Sequence, residues 1–372
     1  MLPSHPHERS SPTVSVTELA ISLHVDCENE WPSHKHTLVV CFPQSLVTWD
    51  ANVKTPTVVD RLEVLVLVDN VTDNLSSNPA GVTTEWTFLR SSGRMQMMCG
   101  KAFCCAHHGL SLLLTAHVGS VRHRILFDAG PEAAGFLRNA AVLGADLSAV
   151  EAVVLSHGHW DHAGGLLAAI QAITSGGRNK VDCFMHPDMF AQRGVRLADK
   201  SVGEFEPVPG VDTLKEAGAA VHITREPALI AEGAFFVSGE IPRVTAYETG
   251  MPGQVRKSEP DGNWVPDEWL QDERFVAVNV KGKGLMIFTA CSHAGVINVL
   301  RHAKETFPGI PLYGVMGGLH LSGATEKIIP QTIADLRSFD LKLIAAGHCT
   351  GDRKSTRLNS SHVVTSRMPS SA

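Results

Sequence analysis

The run Ser156-His157-Gly158-His159-Trp160-Asp161-His162-Ala163-Gly164-Gly165 constrains this chain more than any other stretch of it. It follows an apolar segment, 152–155, that reads as a buried strand, and it precedes Leu166, Ile170 and Ile173, which recur at helical spacing. In extended backbone, residues two apart face one side, so His157 and His159 can converge on a single ion. As the chain turns into the next helix, Asp161 and His162 can reach a second ion beside the first. Neutral imidazole and carboxylate suit zinc, with iron or manganese as alternatives, and Gly158, Gly164 and Gly165 permit close backbone approach. A chance run of these donors at this spacing is expected on the order of a few times in a thousand such chains. The bland alternative is a polar turn with incidental histidines.

Around this run the chain alternates strands and helices. Residues 62–68, 110–116, 124–127, 181–185, 234–237, 275–280, 285–289 and 341–345 read as strands, and 131–143, 296–306 and 331–338 as helices. No internal repeat at a fixed period is present. Such a pattern, with polar loops at strand ends, predicts one layered α/β domain over residues 58–351.

The two ends read differently. Residues 1–57 mix Pro, Ser, His and acidic residues with short apolar pieces and lack the basic start of a secretory signal, so a disordered N-terminal extension is expected. Residues 352–372 begin DRKSTRLNSSH and resemble a translated sequencing-adapter oligonucleotide. The native sequence is therefore expected to diverge after Gly351, and this segment to contribute nothing to function; a Ser-rich natural tail is the alternative.

A formal net charge of -6 with no long Lys/Arg run argues against nucleic acid as a partner. No apolar stretch approaches the roughly 18 residues of a membrane-spanning helix, so no membrane partner is expected. The eight cysteines are scattered without the spacing of a disulfide framework, which favours a reducing, cytoplasmic setting. No phosphate-loop or dinucleotide fingerprint is present, so no organic cofactor is implied, and a small, anionic substrate stays open because a metal can supply the positive charge.

The histidine run resembles that of the metallo-β-lactamase superfamily, and the resemblance covers nearly all of 58–351. It implies a four-layer αββα sandwich holding two divalent metal ions at the sheet edges. Asp128, in Leu126-Phe127-Asp128-Ala129-Gly130, matches the strand-end Asp that supports the metal ligands; a helix N-cap or turn role is its alternative. Six further motifs narrow the likeness: Val68-Asp69-Asn70, His107-His108-Gly109-Leu110-Ser111, Ser238-Gly239-Glu240-Ile241-Pro242-Arg243, Cys291-Ser292-His293-Ala294-Gly295, Gly317-Gly318-Leu319-His320-Leu321 and Gly347-His348-Cys349-Thr350-Gly351. Together they resemble the dihydropterin-ribofuranosylaminobenzene phosphate synthase-like branch, named for a C–N bond-forming transfer that releases diphosphate.

The resemblance implies His157, His159, Asp161, His162, His293 and His348 as metal ligands, with Glu240 the runner-up to His293. Asp161 and His320 are the expected catalytic residues, His320 as metal ligand, proton donor or phosphate contact. His107, His108, Arg193, Glu240 and Arg243 are expected at the substrate, although Arg193 and Arg243 also suit surface or ion-paired roles. Cys291 and Cys349 are expected to pack beside the site as small residues, with soft ligation as the alternative. Where the wider superfamily carries a bridging Asp, this chain has Cys291-Ser292-His293. Three functions follow: a transferase releasing diphosphate, a metal-dependent hydrolase of a phosphoester, thioester or lactone, and an inactive metal-binding scaffold.

Overall fold

The computed structural model describes residues 54–72, 74, 81–177 and 179–351 and the backbone of 365–367. The expected N-terminal extension, apart from 54–57, lies outside the described residues.

After β1 (Val58–Val59), β2 (Arg61–Val68) leads through helix α1 (Glu85–Ser91) to an antiparallel hairpin, β3 (Ser111–Val118) and β4 (Val121–Phe127). Helix α2 (Ala133–Leu143) carries the chain to β5 (Ala152–Val154), α3 (Trp160–Ala163), α4 (Leu166–Ser175) and β6 (Val181–Met185). Next come β7 (Arg193–Arg196), β8 (Val202–Glu204), α5 (Val211–Glu216) and β9 (Ala219–Ile223). The first large sheet has the order β2-β3-β4-β5-β6-β9.

The second half adds β10 (Ala228–Ile230), β11 (Phe235–Val237), β12 (Gln254–Lys257), β13 (Trp264–Pro266), β14 (Val276–Val280) and β15 (Gly284–Thr289). Helix α6 (Val296–Thr306), β16 (Leu312–Gly318), α7 (Ile329–Leu336), β17 (Leu343–Gly347) and β18 (Thr365–Arg367) complete it. The second large sheet runs β10-β11-β14-β15-β16-β17-β18, with β1 parallel to β14, and a small sheet runs β13-β12-β7-β8.

Period-two alternation explains the layering. In β4, Ile125 and Phe127 face the core between the two large sheets while Leu126 faces outward against α2 and α4. In β15, Met286 and Phe288 face that same inter-sheet core while Leu285 and Ile287 pack under α6 and α7. Both faces of each sheet are covered, so these strands read as unbroken apolar runs. The result is the αββα sandwich expected from sequence.

Helix α6 matches its expected bounds, and its buried N-terminal amides, which lack partners within the helix, are capped from a distance: Glu248 accepts from the Ile297 and Asn298 amides at 2.9 and 3.0 Å. Strand β16 was not expected, because Gly314, Gly317 and Gly318 obscure it. A Cβ on Gly317 would lie 1.6 Å from the Thr289 carbonyl oxygen, so the neighbouring backbone demands glycine there. Residues 365–367 form an edge strand parallel to β17, and the rest of 352–372 lies outside the described residues. Among the described residues no helix is long and apolar enough to cross a membrane.

Candidate metal centre

Strands from both large sheets end at one place: Asp69 and Asn70 follow β2, Asp128 follows β4, Ser156 to His162 follow β5, Cys291 to His293 follow β15, His320 follows β16 and His348 follows β17. Asp128, Ser292, His320 and His348 adopt left-handed backbone, with φ of 59°, 58°, 42° and 48°. Such conformations cost about 1–3 kcal/mol each for residues other than glycine and persist where surrounding structure enforces them.

His157 and His159 converge as their spacing predicts, but across a bend at 157–158 rather than in extended backbone. Nε2 of His157 lies 3.0 Å from Nδ1 of His159. Two nitrogens at 2.0–2.1 Å from one tetrahedral zinc would sit roughly 3.3 Å apart, so these rings fit a shared ion. Each ring is held by its other nitrogen: Nδ1 of His157 is 2.9 Å from the Ser156 hydroxyl, and Nε2 of His159 donates to Gln254 Oε1 at 2.8 Å. Gln254 comes from β12 of the small sheet and had no signal in its local sequence. His293 completes this side. Its ring centroid lies 4.9 Å from those of both His157 and His159, and neither of its buried nitrogens has a hydrogen-bond partner. Burial and the crowding of neighbouring imidazoles lower the pKa values of His157 and His293, and burial brings His159 to about 4. All three rings are therefore neutral near pH 7, the form that ligates metal.

The second group is Asp161, His162, Cys291 and His348, whose ligand atoms lie within 4.8 Å of one another. Nδ1 of His162 donates to Asp128 at 2.7 Å, which turns Nε2 toward Asp161 at 3.6 Å. Nδ1 of His348 donates to Asn70 Oδ1 at 2.9 Å, leaving its buried Nε2 unpaired and 3.4 Å from Asp161. Burial opposes charge on His162, but Asp161 and Asp128 outweigh it and raise its pKa to about 9. Burial likewise opposes the Asp161 carboxylate, and His162 and His348 hold it ionised. Asp128 also accepts from the Ser156 amide and hydroxyl at 2.7 and 2.8 Å, so one carboxylate orients residues of both groups. The sequence resemblance expected Asp128 behind the metal ligands, and its contacts here are with Ser156 and His162.

Cys291, expected as packing, enters three donor groups: the one just described, one with His157 and His293, and one with His320 and Cys349. Burial raises its thiol pKa. His320 has a buried, unpaired Nδ1 and a ring 4.4 Å from that of His293. A cleft opens beside these two rings, lined by Tyr247, Pro252, Leu319, Leu321 and Ile328. His108 sits at the other edge, exposed, 3.6 Å from Asp161 and 5.2 Å from the His348 ring.

Four expected substrate residues are engaged by other protein groups. Arg193 is 2% exposed and gives its guanidinium to Asp272 and Asp267, so its ion-paired reading describes it. Glu240 joins none of the donor groups and instead pairs with Arg225 and His186. Arg243 donates to the carbonyls of Trp269 and Leu270. His107 faces Glu132 at 3.8 Å. Asp272 was missed by sequence reading: it accepts from the Gly158 amide at 2.8 Å and so anchors the turn between His157 and His159.

Comparisons with known proteins identify the family the chain resembles. Residues 123–219 match a family model described as the beta-lactamase superfamily domain. The chain is 31% identical over 254 residues to an uncharacterized protein of Methanocaldococcus jannaschii, spanning 68% of this chain and 88% of that protein. It is 29% identical over 251 residues to the 7,8-dihydropterin-6-methyl-4-(beta-D-ribofuranosyl)-aminobenzene-5'-phosphate synthase of the same organism, spanning 66% of this chain and 82% of that protein. A solved metal-dependent hydrolase of the beta-lactamase superfamily superposes with a TM-score of 0.61 at 21% identity, covering 84% of this chain and 98% of that one.

Proposed function

The chain belongs to the metallo-β-lactamase superfamily, and from that premise we propose that it is a two-metal enzyme, zinc-loaded, that transfers a dihydropterinylmethyl group from its diphosphate to an arylamine. The observation that carries the metal reading is the set of imidazoles that hydrogen-bond outward through one nitrogen and turn the other inward, joined by the unpaired nitrogens of buried His293 and His348. The likeness to the synthase supports the transferase reading.

His157, His159 and His293 would hold one cation, and Asp161, His162 and His348 the other. A pair of divalent cations supplies Lewis acidity there, stabilising negative charge that develops on a departing diphosphate. The protein's own residues do the positioning. Asp128 and Asn70 fix the tautomers of His162 and His348, so that both present Nε2 to the same carboxylate. His320, with its unpaired nitrogen beside the cleft, is placed to give a proton to the leaving diphosphate, and His108 closes the opposite edge. Leu319, Leu321 and Ile328 give the cleft an apolar side.

The test is an activity panel on metal-loaded protein, offering a pterin diphosphate with and without an arylamine, alongside phosphodiester and lactone substrates. Diphosphate release that requires the arylamine is the expected result. Turnover in water alone would select a hydrolase, and no turnover with any substrate by fully loaded protein would select a scaffold.

A further inference from the structure

Among the described residues, Cys291 is the one side chain common to the donor group of Asp161, His162 and His348 and the donor group of His157 and His293. Its sulfur is buried and lies 3.3 Å from Nε2 of His162, the nitrogen that Asp128 turns inward. On the other side stands His293, with both ring nitrogens buried and unpaired. The turn that carries Cys291 and His293 is held from several directions. The Ser292 hydroxyl donates to the Gly318 carbonyl at 2.8 Å, and the His293 amide donates to Glu273 at 2.9 Å. The sulfur is thus fixed between the two histidine sets by backbone that cannot relax cheaply.

Charge and reach both favour a shared role. The His157, His159 and His293 set has no anion of its own, and the other set has only Asp161, so two dications would face each other with little between them. A sulfur about 2.3 Å from each of two zinc ions spans up to about 4.6 Å, which includes the roughly 3.5–4 Å separation of paired catalytic cations.

We propose that Cys291, as a thiolate, is a ligand shared by both cations, filling the place between the two histidine sets. The inference rests on the two-metal reading above. A shared thiolate also biases the site toward borderline and soft ions such as zinc over manganese or magnesium. Cys349 belongs to the outer group with His320 and shares no group with the other histidines, so it is not the bridge.

Cadmium-113 NMR of the full chain loaded with two cadmium ions tests this without any turnover measurement. Two resonances are expected, both displaced downfield by sulfur ligation. In Cys291→Ser both should move upfield, and in Cys349→Ser both downfield displacements should survive; loss of either there would overturn the proposal. Cys291→Asp restores an anionic donor and serves if the serine variant does not fold; it should bind two ions with both resonances at less sulfur-like shifts. Movement of only one resonance in Cys291→Ser would make Cys291 a ligand of a single ion and overturn the proposal, as would movement of neither. A parent protein that binds no cadmium and no zinc would instead overturn the metal-enzyme reading itself.

Discussion

Replacing Arg193 by Met should destabilise the protein and loosen its metal together, because one buried ion pair supports both. Nη1 and Nη2 of Arg193 donate to the two oxygens of Asp272 at 2.6 and 3.0 Å, and Nε donates to Asp267 at 2.7 Å. Arg193 is 2% exposed and Asp272 is fully buried, so Arg193→Met leaves a carboxylate in the interior without its cation. Removing one partner of such a pair costs about 3–5 kcal/mol, or roughly two to nearly four powers of ten in the unfolding equilibrium. Asp272 also holds the Gly158 amide, so the turn between the two histidines should lose definition and metal affinity should fall about 10–100-fold. The pH dependence gives an independent sign. Burial by itself would raise the Asp272 pKa, and Arg193 more than offsets this in the parent. Without Arg193 the folded-state pKa rises above the unfolded value, so the variant gains stability as the pH falls, while the parent keeps Asp272's contribution down to about pH 4. The gap between them should narrow from pH 7 toward pH 5. Urea unfolding at both pH values, with metal content by elemental analysis, checks this. Stability within about 1 kcal/mol of the parent at pH 7, with unchanged metal content, would refute the reasoning.

Asp128→Asn removes the charge that orients His162 and should weaken metal binding by about 10–100-fold in a competition titration, with a smaller effect on the fold. Gly158→Ala places a Cβ 2.4 Å from the Met189 carbonyl oxygen and 2.7 Å from Nη1 of Arg193; a loss of about 1–3 kcal/mol in urea unfolding and lower metal content are expected. His302, packed against Phe275 with ring centroids 5.7 Å apart, has its pKa lowered by burial from 6.5 to about 4. The unfolded chain takes up that proton first, so its contribution is present above about pH 6.5 and is lost as the pH falls toward 4, amounting to roughly 3 kcal/mol. His302→Leu should therefore show a shallower loss of stability between pH 7 and pH 4.5 than the parent, read from urea midpoints; identical slopes would sink the assignment.

How much was legible in the sequence follows the range over which each arrangement is decided. The facing nitrogens of His157 and His159, 3.0 Å apart, come from two residues of one short bend, and α6 was readable because its apolar positions repeat within eleven residues. The ends of β4, β5, β15 and β17 were likewise marked by apolar runs that stop at polar, Gly-rich loops, which is why Asp128, His293 and His348 stood out. Tertiary structure decided the partners. Gln254 reaches His159 from 95 residues away, Asp272 reaches Gly158 from 114, and Cys291 reaches His162 from 129. Between its two sequence readings Arg193 took the ion pair, and Cys291, expected to pack beside the site, lies among the donor groups. Local spacing determines which side chains of one segment share a face. Which segments then meet depends on sheet order and register, and those are set by burial of both faces of each sheet, a property of the whole chain.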